Sequence, residues 1–172
     1  MAEYEGKDVD LPEIPIENVT DRFQEFEMKL PFTRTLLTRY MEKVDNAEKA
    51  NGSQGFVTIQ QLAAELSTPV WQGLNSDADE LYKFMTSGIF KVLGQRADIL
   101  DTSRLKLFGL VHCRHTIRKK AHFFYEFLQQ GGYEKFPQIS AGDKDFGPNF
   151  QMLCDVACWD LFESLKQLGT ID

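Results

Sequence analysis

The feature that most constrains this chain is a unit that occurs three times: a helical run, a break, one aliphatic residue, then a capped helix. In the first unit Pro31 suits an opening turn, and Phe32, Leu36, Leu37, Tyr40, Met41 and Val44 recur at helical spacing through to about Lys49. NGSQG (51–55) breaks that run, and Phe56 to Ile59 read as a short extended stretch. Thr58 with Gln61 three residues on is a capping box for a helix through Leu66. After the turn-rich connector STPVWQGLNSDAD, the second unit sets a helix with Leu81, Phe84 and Met85 before Ile99-Leu100. Asp101 then caps a helix bearing Leu105, Phe108 and Val111. In the third unit Thr116 opens a helix with Ile117, Ala121, Phe124 and Leu128; GGYEKFPQ breaks it, and Ile139 precedes the capping pair Ser140 and Asp143. Pro148 starts a final helix with Phe150, Leu153, Ala157, Leu161 and Leu165. The pattern predicts an all-α fold of helix-loop-helix repeats, with short two-stranded pairings between loops.

A calcium loop of this shape has twelve positions. Oxygen ligands stand at 1, 3, 5, 7, 9 and 12, glycine at 6, an aliphatic residue at 8, and a bidentate glutamate at 12. With Val57 at position 8, Gly55 falls at 6, Thr58 at 9 and Gln61 at 12, so the helical half of the frame fits. The ligand half does not, because Ala50, Gly52 and Gln54 stand at 1, 3 and 5. Counted from the end of the entering helix, Asp45 would be position 1 of a loop about five residues too long. With Leu100 at 8, a loop of normal length has Leu93, Gln95 and Ala97 at 1, 3 and 5, and Arg104 at 12, where a guanidinium repels a divalent cation. With Ile139 at 8, Gly132, Glu134 and Phe136 stand at 1, 3 and 5 and Asp143 at 12. Two acids alone hold a metal weakly, and measured from Leu128 this loop is about four residues too long. Asp45, Glu48, Glu134 and Asp143 are the only weak metal candidates, and no cofactor is expected.

On these residues the chain resembles the EF-hand superfamily over roughly 31–165. GLVHCRHTIRKKAHFFYEFL, a loop, and then QISAGD are similar to the third EF-hand region of calcineurin B and the neuronal calcium sensors. The resemblance implies EF-hand-like architecture; the family's calcium chemistry is not carried over, because its ligand positions are filled by residues that cannot serve. It also implies that loops pair through position 8, Val57 with Leu100. Ile139 would pair with Ile171 in GTID, a half fourth unit without its exit helix. The expected organisation is an acidic flexible arm at 1–18, a first EF-hand-like pair with its leading helix at 19–115, and a third unit with the half fourth at 116–172. Pro12 and Pro15 among acids give the arm, and Thr20 or Asp21 caps a leading helix with Phe23, Phe26 and Leu30.

Composition narrows the function classes. Hydrophobic content of 42% with 14 Phe supplies a core, while a net charge of −7 and a pI near 5.0 argue against general nucleic-acid binding. No stretch approaches the roughly 20 apolar residues of a membrane helix. MAEYEGKDVD lacks the basic and apolar regions of a secretion signal, and Ala2 the Met-Gly start of myristoylation. Cys113, Cys154 and Cys158 are an odd set without metal spacing, as in a reducing compartment, so a cytoplasmic address is expected.

Charge is unevenly laid out. Residues 1–27 hold nine acids against Lys7 and Arg22, whereas 102–125 hold no acid but carry Arg104, Lys106, Arg114, Arg118, Lys119, Lys120, His112, His115 and His122. That basic stretch suits an acidic or phosphate partner, or the chain's own acidic arm, against the plain alternative of a solvated face. Protonation of its histidines below about pH 6.5 would strengthen it. His112, Cys113, His115 and His122 lack zinc spacing and read as linker residues. Phe123, Phe124, Phe127 and Trp71, with Trp159, Met85 and Met152, read as core; in EF-hand proteins such residues also line the groove for a partner's amphipathic helix. The partner-binding candidates are therefore Arg114, Arg118, Lys119, Lys120, Phe123, Phe124, Phe127 and Trp71. No catalytic motif is present, so an enzyme is not expected. The expected function is a calcium-independent EF-hand-like interaction or scaffold module for a partner helix or acidic segment. Alternatives are a calcium sensor with irregular loops, a small enzyme using the His/Cys cluster, and a structural subunit of a cytoskeletal or ciliary assembly.

Overall fold

Helices in this chain run until a turn residue or a distant segment claims their backbone. The computed structural model describes residues 1–14 and 22–129, with side chains for 1–14 and 25–127. The expected units around Ile139 and Ile171, with Glu134 and Asp143, lie outside these residues, as do Cys154, Cys158, Met152 and Trp159. The helices are α1 (Arg22–Lys29), α2 (Leu37–Ala50), α3 (Ile59–Glu65), α4 (Glu80–Met85), α5 (Thr102–His112) and α6 (Ile117–Gln129). One antiparallel sheet joins β1 (Phe56–Thr58) to β2 (Ile99–Asp101). The described chain is mostly helical, with this small sheet between the two loops, and none of its helices is long and apolar enough to cross a membrane.

The helix expected to run unbroken from Pro31 is divided. Pro31–Arg34 form a single 3-10 turn, Thr35 is extended (φ −122°, ψ 133°), and α2 begins only at Leu37. The cause is tertiary: Arg114 N donates to Thr35 O and Leu37 N to Arg114 O, both at 3.0 Å, so the segment after α5 takes these backbone groups. Trp71 Nε1 also donates to Thr35 Oγ1 at 2.9 Å. Trp71 belongs to a further 3-10 helix, Pro69–Asn75, inside the stretch read as a turn-rich connector, and it brings Leu74 into the core as well.

The core is an aromatic cluster between α2, α4 and α5. The Phe32 ring lies 4.7 Å from Phe108, 5.0 Å from Trp71 and 5.3 Å from Tyr40, centroid to centroid. Phe84 and Phe90 extend the cluster through edge contacts worth about 0.5–1.5 kcal/mol each beyond area burial. Tyr40 is fully buried, and its hydroxyl donates to Leu105 O at 2.9 Å. α5 comes this close because Gly109 has no Cβ; one placed there would overlap the Tyr40 ring. Phe124 and Phe127 of α6 are buried in the same cluster, so the helix beyond the expected boundary at 115 shares the first unit's core.

Within the segment expected as an acidic arm, Asp8, Asp10 and Leu11 contact the body, while most of residues 7–14 are exposed. Leu11 is 1% exposed; its N–H donates to Arg34 O at 2.8 Å and its carbonyl accepts from Arg34 Nε at 3.0 Å. Asp10 accepts from Val70 N at 3.1 Å, and Asp8 pairs with Lys43 at 3.3 Å. One leucine among acids suffices because the body supplies a pocket, a backbone partner and the counter-charges.

Candidate functional site

The two loops meet around an approximate two-fold axis. β1 and β2 pair with Val57 opposite Leu100, Phe56 opposite Asp101 and Thr58 opposite Ile99, the register expected from the sequence. Outside the strands the relation continues. Ile59 N donates to Asp98 O at 2.9 Å and Thr102 N to Gly55 O at 3.1 Å, so position 10 of each loop bonds position 6 of the other. Both exit helices are capped alike, with Thr58 Oγ1 accepting from Gln61 N and Asp101 Oδ1 from Arg104 N. The capping box is complete, since Thr58 N donates to Gln61 Oε1 at 2.9 Å. The second loop departs from its expected length: α4 ends at Met85, and the stretch before β2 is held by Arg104 Nη1 donating to Ile89 O at 2.9 Å.

Inside the first loop, side-chain amides link its start to its end. Asn51 Nδ2 donates to Phe56 O at 2.9 Å, the position 7 carbonyl that a calcium loop turns toward its ion. Gln61 Nε2 donates to Asn51 Oδ1 at 3.2 Å. One neutral amide thus ties the loop's start to positions 7 and 12. The alternative ligands fare no differently. Lys106 of α5 places its ammonium 2.5 Å from Asp45 and 3.9 Å from Glu48, and Glu48 Oε1 also accepts from Gly55 N at 3.0 Å. A tethered cation stands where the two acids converge. Asn51 and Lys106 escaped the sequence reading, although a polar residue beside Ala50 and a lone lysine on an acid-free helix were visible signals.

Several expected partner-binding residues are interior. Trp71 is 1% exposed, and Phe124 and Phe127 are buried, so none of the three is a surface contact. They pack because each lies on the inward face of its element, beside the aromatic core. Phe123 is half-buried with the Lys119 ammonium 5.7 Å from its ring centre. Arg118 is exposed. Lys120 Nζ donates to Val111 O at 3.0 Å, at the end of α5, and burial pulls its ammonium below the ordinary lysine range. Arg114 is held by its backbone, with its half-buried guanidinium beside Tyr4 and Arg34. With Arg104, Lys106 and Lys120 engaged internally, the basic stretch presents mainly Arg114, Arg118 and Lys119.

Two of the three histidines, His112 and His115, face acids of the N-terminal region. His112 Nδ1 donates to Glu27 Oε1 at 2.5 Å, and this bond holds the Glu27 carboxyl below its ordinary value against the opposing effect of burial. His115 has a side chain only 5% exposed, with Nε2 3.8 Å from Glu5 and no hydrogen-bond partner there. Its Nδ1 accepts from Thr116 N at 2.9 Å, which fixes the proton of the neutral ring on Nε2. A second proton would have to stand against that N–H, and burial, opposed in part by Glu5, pulls the pKa down. His115 therefore resists the acid switching expected of all three histidines. Between them Cys113 is fully buried and its thiol is pushed far up by burial, so it is no thiolate nucleophile. Among the described residues no three His, Cys, Asp or Glu side chains converge as a metal site.

No protein-family model, curated protein or solved structure matches the chain. Its functional reading rests on this geometry.

Proposed function

We propose that the chain is a calcium-independent, EF-hand-like module that binds a helix or acidic segment of another protein. The observation that carries this reading is the paired-loop centre, which combines two-fold pairing with the Asn51 amide in the place of an ion. A loop closed by neutral hydrogen bonds has one conformation with or without calcium, so the module is a constant binder. Cytoplasm, cytoskeleton and cilium are all addresses compatible with such a role.

The test is Asn51→Ala. It strands the Phe56 carbonyl and the Gln61 amide and costs about 1–3 kcal/mol. For a chain of this size that lowers the thermal midpoint by roughly 2–4 °C per kcal/mol. The loss is expected to be the same in millimolar calcium and in chelator. A loss seen only in chelator would mean that calcium can hold the loop, and the proposal would fall.

A further inference from the structure

Thr68 stands where the N-terminal segment meets the body. Pro69 follows it, the one Ser/Thr-Pro step in the sequence, and a residue before proline is held extended. Thr68 takes that form (φ −72°, ψ 158°), with Ser67 and Pro69 exposed and Thr68 itself half-buried. Its hydroxyl makes no bond to the helix it opens, Pro69–Asn75. The Val70 N–H that such a hydroxyl would serve donates instead to Asp10, at 3.1 Å.

Cations gather at the same place. Thr68 borders a small cleft with Lys7, Asp8, Arg39 and Lys43. Lys43 holds Asp8 at 3.3 Å and lies 3.9 Å from Glu65. Arg39 pairs with Glu42 through Nη1, but its Nε is buried with no hydrogen-bond partner among the described residues. The N-terminal segment thus sets two carboxylates, Asp8 and Asp10, on groups beside Thr68. The cleft is about 10 Å³, room for one water at most, so a larger group on Thr68 fits within it only if residues 7–9 withdraw.

We propose that Thr68 is a phosphorylation site for a proline-directed Ser/Thr kinase, and that its phosphate releases the N-terminal segment. The γ-phosphoryl group of ATP passes to Thr68 Oγ1: an O–P bond forms there, the β–γ phosphoanhydride bond breaks, ADP leaves, and the hydroxyl proton goes to the kinase's base. The product carries a charge of about −1.5 to −2 and three strong acceptor oxygens. It competes with Asp10 for Val70 N and with Asp8 for Lys43, repels both carboxylates, and offers Arg39 Nε an acceptor. The segment keeps Leu11 and its bonds to Arg34 but loses both carboxylate anchors. The inference is independent of the binding role proposed above.

The test is incubation of the full chain with a proline-directed Ser/Thr kinase, magnesium and ATP. One phosphoryl group per chain is expected, mapped to Thr68 by peptide mass spectrometry and missing from Thr68→Val. In the phosphorylated chain the Leu11 amide, which donates to Arg34 O, is expected to exchange hydrogen at least about tenfold faster, with the α2 amides unchanged. Asp8→Asn combined with Asp10→Asn, without phosphate, is expected to speed the same amide. The phosphorus NMR titration of phosphorylated Thr68 is expected to have its midpoint below the usual value of about 6, and Arg39→Gln to raise it toward that value. No modification of the folded chain, or modification only after unfolding, would overturn the site. A Leu11 amide unmoved by phosphorylation or by the double variant, or a phosphate titrating at its usual value, would overturn the release.

Discussion

Single residues fill the first loop with hydrogen bonds and charge pairs of their own. Asn51 satisfies a carbonyl and an amide at once, and Lys106 neutralises Asp45 and Glu48. The missing ligands were legible in the sequence because a carboxylate is present or absent at a position. The substitutes were not, because what an asparagine bonds depends on backbone geometry. The histidines lead to a pH prediction with two steps. Burial lowers the His115 pKa in the folded chain, so as pH falls below about 6.5 the unfolded chain takes up its proton before the native one does, and stability declines. Glu27 acts lower down: its contribution is full above about 4.5 and is lost as pH falls through its lowered native value. Urea midpoints between pH 7.5 and about 2.5 should show both steps. His115→Asn, which keeps an acceptor for Thr116 N, should flatten the first and Glu27→Gln the second. A first step unchanged in His115→Asn would contradict the assignment.

Elements were legible where their cause is local. The Thr58–Gln61 box and the Asp101 cap follow from a few adjacent residues, the Val57–Leu100 pairing was expected from the resemblance, and all are present. The division of the Pro31 helix and the 3-10 helix carrying Trp71 were not legible, because residues far along the chain impose them. Trp71, Phe124 and Phe127 show the same limit: an aromatic on a helix face suits a core or a groove equally, and only the packing decides. The α2–α5 contact supplies the test at this scale. Gly109→Ala drives a methyl group into the Tyr40 ring, beneath a phenol whose hydroxyl is bonded to Leu105 O. The expected loss is about 1–3 kcal/mol in denaturant unfolding, the usual cost of overpacking a filled core. A neutral outcome would mean that the two helices can move apart without penalty.

At the scale of the whole molecule, the uneven charge layout has a structural use. The acidic N-terminal region faces the basic and histidine-bearing positions of the same chain, through Glu27 on His112, Glu5 beside His115 and Asp8 on Lys43. The sequence showed both charge blocks and offered self-docking as one reading, but Leu11 as its anchor was hidden among prolines and acids. In the proposed function, paired loops closed by amides and a tethered lysine organise helices for protein binding without an ion. Isothermal titration of the full chain with calcium, and separately with magnesium, tests that claim most directly. The account predicts no heat from binding tighter than about millimolar for either cation, and a single micromolar calcium site would contradict it.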